Sequence, residues 1–266
     1  MVTCILQGGM ANQFFTTLAT IAYARKHKMQ YRIPTKTNNP RWKHYTFDNV
    51  GYEDIDTTSF YKYQSPDIRY DERPYDVSYH EIPYHENIVL EGHFQSWKYF
   101  DGIIYPPRYF YEIVSMPFTS GMCAIHVRRG DYLTMADKLP PVTEKYLKNA
   151  ADYIVQLGVK EFNGYSDDIP WLKNEFNNQL GGDWISDPPF FVMSSCHSEI
   201  SNSEIIDLRR IASTKYIIGS NSSYSLMAYY LNPHWDKKII LPKVWFGPGY
   251  GPVDCTDLYP PDCIVL

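Results

Sequence analysis

His126-Val-Arg-Arg-Gly-Asp131 places an imidazole, two guanidinium groups and a carboxylate in one short run. A diphosphate calls for planar, permanently charged donors, which arginine supplies better than lysine. At an effective dielectric near 20, one such contact at about 4 Å is worth roughly 4 kcal/mol before desolvation. Focused on a leaving phosphate, that is roughly a 1,000-fold effect on rate. The competing reading of Arg128, Arg129 and Asp131 is a surface ion pair. Asn221-Ser222-Ser223-Tyr224-Ser225 offers a second anion-binding run. Hydroxyls and unpaired backbone N–H groups at a helix start suit a phosphate without a metal, although serines also serve as plain helix caps.

Ser166-Asp167-Asp168 has the composition of a metal site. Adjacent side chains on an extended strand point to opposite faces, however, so both carboxylates seldom reach one ion. One aspartate bonded to a base or ribose, with its neighbour capping a helix that opens at Pro170, fits the pattern better, and no metal is expected. The remaining histidines show no ligand spacing, and neither a nucleophile elbow nor a phosphate-binding P-loop is present. Between Trp42 and Tyr111 lie half of the chain's 24 tyrosines. That density suits either packing or the stacking of sugar rings, since tyrosine joins a flat apolar face to a polar edge.

These residues need elements to hold them. Val2 to Leu6, a Gly8-Gly9 turn, and an apolar stripe at Phe14, Phe15, Leu18, Ile21 and Ala22 read as strand, turn and helix. Ile88-Val-Leu90 reads as a buried strand ending at Glu91-Gly92-His93-Phe94-Gln95. Further strands are expected at Met122–Val127, Glu161–Tyr165 and Tyr216–Ile218. Helical stripes follow at Tyr146 to Leu157 and at Ile205 to Ala212. Leu226 to Leu231 is apolar on every side and should be a buried helix, stopped by Asn232-Pro233. Each polar motif then sits at the carboxyl end of a strand, where α/β folds line their ligand crevice. A boundary near Met116-Pro117 divides residues 1–117 from 118–266.

Composition sets the outer bounds. Of 266 residues, 44% are hydrophobic and 21% charged, with a net charge of −5. Such a chain holds a full core and has no overall attraction for nucleic acid or anionic membrane, so any anion site must be local. The start lacks a signal-peptide pattern and no run spans a bilayer, which gives the expectation of a soluble, cytoplasmic protein. Five cysteines without metal spacing are expected to be reduced, with a Cys255–Cys263 pair left open.

Taken in order, the motifs resemble the α-1,2-fucosyltransferase family, glycosyltransferase family 11, across nearly the whole chain. The match is carried by Gly8-Gly-Met-Ala-Asn-Gln13, Glu91-Gly-His-Phe-Gln-Ser96, His126-Val-Arg-Arg-Gly-Asp-Tyr132 and Ser166-Asp-Asp168. Asn221-Ser-Ser-Tyr-Ser225 and Leu241-Pro-Lys-Val-Trp-Phe246 complete it. Leu226-Met227 departs from the pattern, which commonly has a tryptophan pair there. The resemblance implies a GT-B-like α/β fold, two Rossmann-like lobes facing each other across a cleft. Residues 1–117 form the acceptor-side lobe and 118–266 the nucleotide-sugar lobe. It implies GDP-fucose as donor, a glycan hydroxyl as acceptor, inversion at the anomeric carbon, and no required cofactor or metal. Arg128 and Arg129 then hold the β-phosphate, with His126 near the nucleotide. Ser222, Ser223 and Tyr224, with Asn221, line the phosphate cradle, and Asp167 or Asp168 meets the nucleoside. Gly9 joins the donor-binding set and Asn12 faces the donor sugar. Asn12, Arg128, Arg129 and Asp131 form the expected catalytic set, with Glu91, His93 and Gln95 on the acceptor side. Asp131 and Glu91 are carboxylates at plausible base positions, and either is equally a structural partner.

Overall fold

The structure, a computed structural model, describes residues 1–34, 68–72, 76–102, 119–172, 174 and 203–266. Much of the tyrosine-rich stretch and the expected boundary at Met116-Pro117 lie outside the described residues. The chain divides into two compact units, Met1–Ile113 with Val253–Pro260, and Val114–Pro252 with Pro261–Leu266. The tail is therefore shared, whereas the sequence reading gave all of it to the second lobe. Asp257 accounts for the difference: its carboxylate accepts the Tyr79 N–H at 3.0 Å and pairs with Lys98 at 2.5 Å.

The first unit holds strands β1 (Val2–Ile5), β2 (Tyr31–Arg32), β3 (Ile68–Asp71) and β4 (Ile88–Glu91). They form one parallel sheet in the order β2-β1-β4-β3. Helix α1 (Met10–His27) starts at Gly9 and ends at Lys28, whose φ of 52° turns the chain and returns its N–H to Ala24 and Arg25. Arg25, Lys26 and His27 oppose the negative end of the helix dipole. The apolar stripe expected from Phe14 to Ile21 is buried, but burial runs round the whole helix, including Thr16, Thr17 and Thr20.

The second unit holds β5 (Thr119–Val127), β6 (Glu161–Ser166), β7 (Thr214–Ile218), β8 (Lys238–Leu241) and β9 (Ile264–Val265). All are parallel, in the order β6-β5-β7-β8-β9. Buried strands of a parallel sheet read as continuous apolar runs because both faces are covered. Cys123-Ala-Ile125, Ile217-Ile218 and Ile239-Ile-Leu241 are such runs, each at most 1% exposed. Helix α2 (Glu144–Gln156) is capped by Thr143, which accepts the Tyr146 N–H at 3.2 Å. Its Tyr146, Leu147, Ala150 and Ile154 pack on Cys123, Ile125, Phe162 and Ile240. Helices α3 (Ser203–Ala212) and α4 (Ser223–Leu231) flank β7, and α4 is buried nearly all round and ends before Asn232, as its sequence requires. Among the described residues, no helix is long and apolar enough to cross a membrane. Cys4, Cys123, Cys255 and Cys263 are free thiols.

One buried hydroxyl ties this core to the loops. The one Tyr146 hydroxyl proton is shared between the carbonyls of Gly219 at 2.6 Å and Ile240 at 3.0 Å, linking α2 to the ends of β7 and β8. Tyr146→Phe keeps the ring and removes the donor. It is expected to cost about 1–2 kcal/mol, seen as a lower urea midpoint with an unchanged slope. An unchanged midpoint would mean that the hydroxyl holds nothing.

Candidate functional site

Strand register builds the site in the second unit. Val127 pairs with Ser166 and Ile125 with Ile218, so three neighbouring strands end at one edge. The segments that follow, 128–131, 167–168 and 219–225, must emerge side by side.

Asp167 joins two of them. Its Oδ1 accepts the backbone N–H of Arg129 at 2.8 Å, and its Oδ2 pairs with Nη1 of Arg128 at 2.9 Å. On the opposite side of the guanidinium, Asp131 Oδ1 takes Nε at 3.0 Å and Nη2 at 2.8 Å. Arg128 is thus held by two carboxylates, and the ion pair weighed in the sequence is present. Arg129 is held more lightly. Its Nε donates to Asp168 Oδ2 at 3.0 Å, and its guanidinium carbon lies 4.2 Å from the Trp171 ring centroid. Such stacking contributes about 1 kcal/mol and keeps the fork planar against a rigid wall. Among the described residues, neither Nη of Arg129 has a hydrogen-bond partner, so four N–H groups are left for a ligand.

Asp168 caps the helical turn Ile169–Trp171, accepting the Trp171 N–H at 3.1 Å, with Pro170 in the first turn as expected. Asp167 faces the arginines, where the sequence reading had assigned one of the two aspartates to the nucleoside. Both carboxylates are committed to arginines and backbone N–H groups. Among the described residues, no cluster of three or more His, Cys, Asp or Glu side chains is placed to hold a metal.

His126 sits beneath this edge, 6% exposed. Its Nδ1 lies 2.7 Å from Ser225 Oγ and 3.4 Å from Ser220 Oγ, and the Tyr224 ring covers it at 4.9 Å. Burial, reinforced by the Arg128 charge, pushes the imidazole down to about 3, so it is neutral at physiological pH.

The 219–225 segment departs from its expected role in two places. Asn221 is 1% exposed, and its amide donates to the carbonyls of Pro140 at 3.0 Å and Trp245 at 2.9 Å. It ties loops together and is not available to a phosphate. The Tyr224 hydroxyl donates to the Glu204 carbonyl at 2.6 Å, which leaves only its ring facing His126. Ser222 caps α4 through the Tyr224 N–H at 3.3 Å. Ser223, half-buried, opens the helix, and its N–H has no partner among the described residues. A helix start carries about half a positive charge, so this N–H, with the Ser223 hydroxyl beside it, is a donor that the segment still offers.

The first unit gathers the other expected residues. Gly8, with φ +75°, closes the turn after β1, and a β-carbon there would lie 2.4 Å from the Asn12 amide nitrogen. Gly9 stands at the helix start with nothing within 4 Å of an added β-carbon. Asn12 Oδ1 accepts from Gln95 Nε2 at 2.8 Å, so a residue assigned to the donor and one assigned to the acceptor share one cluster. Thr16 bonds the carbonyls of Asn12 at 3.0 Å and Gly92 at 2.8 Å and fixes the two turns together. Glu91 is buried and paired with Arg69, which places it among the structural partners. His93 is exposed.

Glu72 escaped the sequence reading. It accepts the N–H groups of His93 at 2.6 Å and Phe94 at 2.8 Å, and Phe94 is held at φ 47°. Burial pushes the carboxyl up to about 7 against the pull of those two N–H groups. A lone acid in a stretch of weak periodicity gave no signal.

The site is thus a cluster of arginines, aspartates, serines and one histidine at the carboxyl edge of a parallel sheet in a two-unit α/β protein. Residues 111–245 match the model of Glycosyl transferase family 11, and the chain belongs to that family. Over 127 residues it is 33% identical to an O-antigen biosynthesis glycosyltransferase, WbnK, of Escherichia coli, covering 46% of this chain and 38% of the relative. Over 131 residues it is 28% identical to an alpha-1,2-colitosyltransferase of Escherichia coli, covering 46% and 40%. The matched stretch is therefore about two fifths of the length of these curated relatives. Among solved structures, POFUT1 in complex with GDP-fucose aligns with a TM-score of 0.46 at 12% identity, covering 88% of this chain and 93% of that one.

A β-carbon on Gly130 would lie 2.4 Å from Asp167 Oδ2. Gly130→Ala is therefore expected to push Asp167 off both arginines and to lower stability by about 1–3 kcal/mol. Urea unfolding checks this, and an unchanged midpoint would mean that Asp167 does not hold the turn.

His126 has a further signature. Its folded pKa is depressed, so between about 3 and the ordinary histidine value the unfolded chain binds the extra proton. Stability should rise with pH through that window, by at most about 1.4 kcal/mol per pH unit from this group, and stop rising above it. His126→Gln should remove that part of the slope in pH-dependent unfolding, and an unaltered slope would contradict a buried neutral imidazole.

Proposed function

We propose that the chain is an inverting, metal-independent glycosyltransferase that moves fucose from GDP-fucose to a hydroxyl of an acceptor glycan, forming an α-1,2 linkage. One observation carries this reading. Arg128 and Arg129 stand at a strand end, aligned by Asp131, Asp167 and Asp168, beside a neutral imidazole and the start of α4. Fixed cations at that place favour the transition state of a displacement in which negative charge grows on a departing diphosphate. Because the arginines are oriented before the ligand arrives, little reorganisation is needed at the moment of reaction. The α-1,2 linkage is supported by the name of one relative, an alpha-1,2-colitosyltransferase.

In this mechanism the acceptor hydroxyl attacks the anomeric carbon as the bond to the β-phosphate oxygen breaks. Arg129, with its two Nη groups uncommitted, takes the growing charge most directly. Arg128 contributes its remaining N–H groups and holds the 128–131 turn in shape. The second unit serves as the donor side and the first as the acceptor side, with Asn12 and Gln95 as polar contacts for sugar hydroxyls. In the first unit, Glu72, whose carboxyl burial pushes up to about 7, stands in the range of a working base.

A second reading shares the site and changes the sugar. One relative is named for colitosyl transfer, so a donor other than GDP-fucose fits the same diphosphate cradle. A panel of nucleotide sugars, with products read by mass spectrometry, separates the two: transfer from GDP-fucose alone supports the first, and transfer only from another donor replaces it.

Arg129→Lys keeps the charge and loses the planar fork. It should lower turnover at least a hundredfold, with Arg128→Lys also impaired. Wild-type rates in both would remove the diphosphate role. Excess chelator should leave turnover unchanged; inactivation by EDTA and recovery with Mn²⁺ or Mg²⁺ would contradict the metal-free mechanism.

A further inference from the structure

Two serines flank one ring nitrogen. Ser225 Oγ is 2.7 Å from His126 Nδ1, and Ser220 Oγ is 3.4 Å from the same atom. Both serines are fully buried. Each hydroxyl carries one proton and needs an acceptor for it. Ser220 already accepts the Arg128 backbone N–H at 3.1 Å, so its own proton is left to donate. Ser225 lies in the first turn of α4, where a helical serine commonly donates to the carbonyl four residues earlier. That carbonyl, on Asn221, receives the Tyr132 hydroxyl at 2.9 Å, and among the described residues Ser225 makes no bond to it. Among the described residues, Nδ1 is the acceptor within reach of both serine protons. The single lone pair of Nδ1 goes to the closer hydroxyl, Ser225, with Ser220 a longer secondary contact. A proton on Nδ1 would leave the Ser225 hydroxyl buried with nowhere to donate, so the ring proton belongs on Nε2.

We infer that Ser225, assisted by Ser220, is a positioning residue that locks His126 in its Nε2–H tautomer, making the imidazole a fixed hydrogen-bond donor to a phosphate oxygen of the bound nucleotide. The inference rests on the diphosphate-site reading for the ligand, though not for the tautomer. The lock explains why a serine stands at position 225 while Leu226, Met227 and Ala228 around it are apolar. It also joins two strand ends and a helix start chemically. Ser220 follows β7 and binds the backbone just past β5, Ser225 opens α4, and both converge on the one buried histidine of β5. The donated N–H needs no charge, so it stabilises phosphate without the desolvation cost of a buried cation.

Nitrogen-15 NMR of histidine-labelled protein reads the tautomer directly, with the His126 signals assigned by their loss in His126→Gln. The expected result is a protonated Nε2 and a bare Nδ1, with the Nε2 signal moving when GDP saturates the site. A protonated Nδ1 would overturn the lock, whatever GDP does. A protonated Nε2 that does not move while calorimetry shows GDP bound would overturn its role as a phosphate donor. No GDP binding at all would instead defeat the diphosphate-site reading, and the tautomer of the free protein would still decide the lock. Side-chain replacement gives the same test in affinity. Glutamine can set its N–H where Nε2 lies and asparagine where Nδ1 lies. His126→Gln should therefore keep GDP affinity within about threefold and His126→Asn lose at least tenfold; the reverse order contradicts the proposal. Ser225→Ala should admit the Nδ1–H form into the spectrum and weaken GDP about tenfold; a spectrum still purely Nε2–H would remove Ser225 from the role.

Discussion

Asp167 is the interaction on which the second unit's site depends. One carboxylate joins the turn after β5 to the turn after β6, through the Arg129 N–H and the Arg128 guanidinium. It works because parallel pairing brings Val127 and Ser166 level. It also requires a residue without a side chain at Gly130, because a β-carbon would occupy the space of Oδ2. Exposed ion pairs taken singly contribute little. Here the carboxylates act together, and their main effect is orientation. Arg128 is clamped from two sides, and Arg129 is set against Trp171 with its outer nitrogens uncommitted.

From that clamp the division of labour among the loop residues follows. Residues nearest the sheet hold the frame: Asn221 ties Pro140 to Trp245, Tyr146 ties Gly219 to Ile240, and Tyr132 reaches the Asn221 carbonyl. Residues one layer out, Arg129 and Ser223, keep uncommitted N–H groups. His126 lies between the layers, buried and uncharged. A cradle for a diphosphate needs both layers, since donors that must first be ordered lose much of their advantage.

The strands and helices that carry motifs were legible because their apolar runs are continuous or helically spaced. This holds for Ile217-Ile218, for the α2 stripe and for the all-apolar α4. β8 and β9 gave less signal: each is short and lies among prolines and charged residues. Motif position was legible too, since a polar turn after a buried strand has few other places to go. What the sequence could not reveal was which atoms of each motif are spent on the frame. Asn221 and Ser222 look alike as anion-binding residues, yet one is consumed by two distant carbonyls. Those partners, Pro140 and Trp245, lie far off in the chain, so no local pattern encodes them. Glu72 was hidden for the same reason, because its partners at His93 and Phe94 meet it only through strand pairing of β3 with β4.

We propose that the second unit's three loop segments form the nucleotide-diphosphate site. Hydrogen exchange with and without GDP tests it over the whole chain at once. Slowed exchange is expected in 126–131, 166–168 and 219–225, with the first unit little changed. Protection that leaves these segments untouched, or that falls only within residues 1–113, would contradict the account.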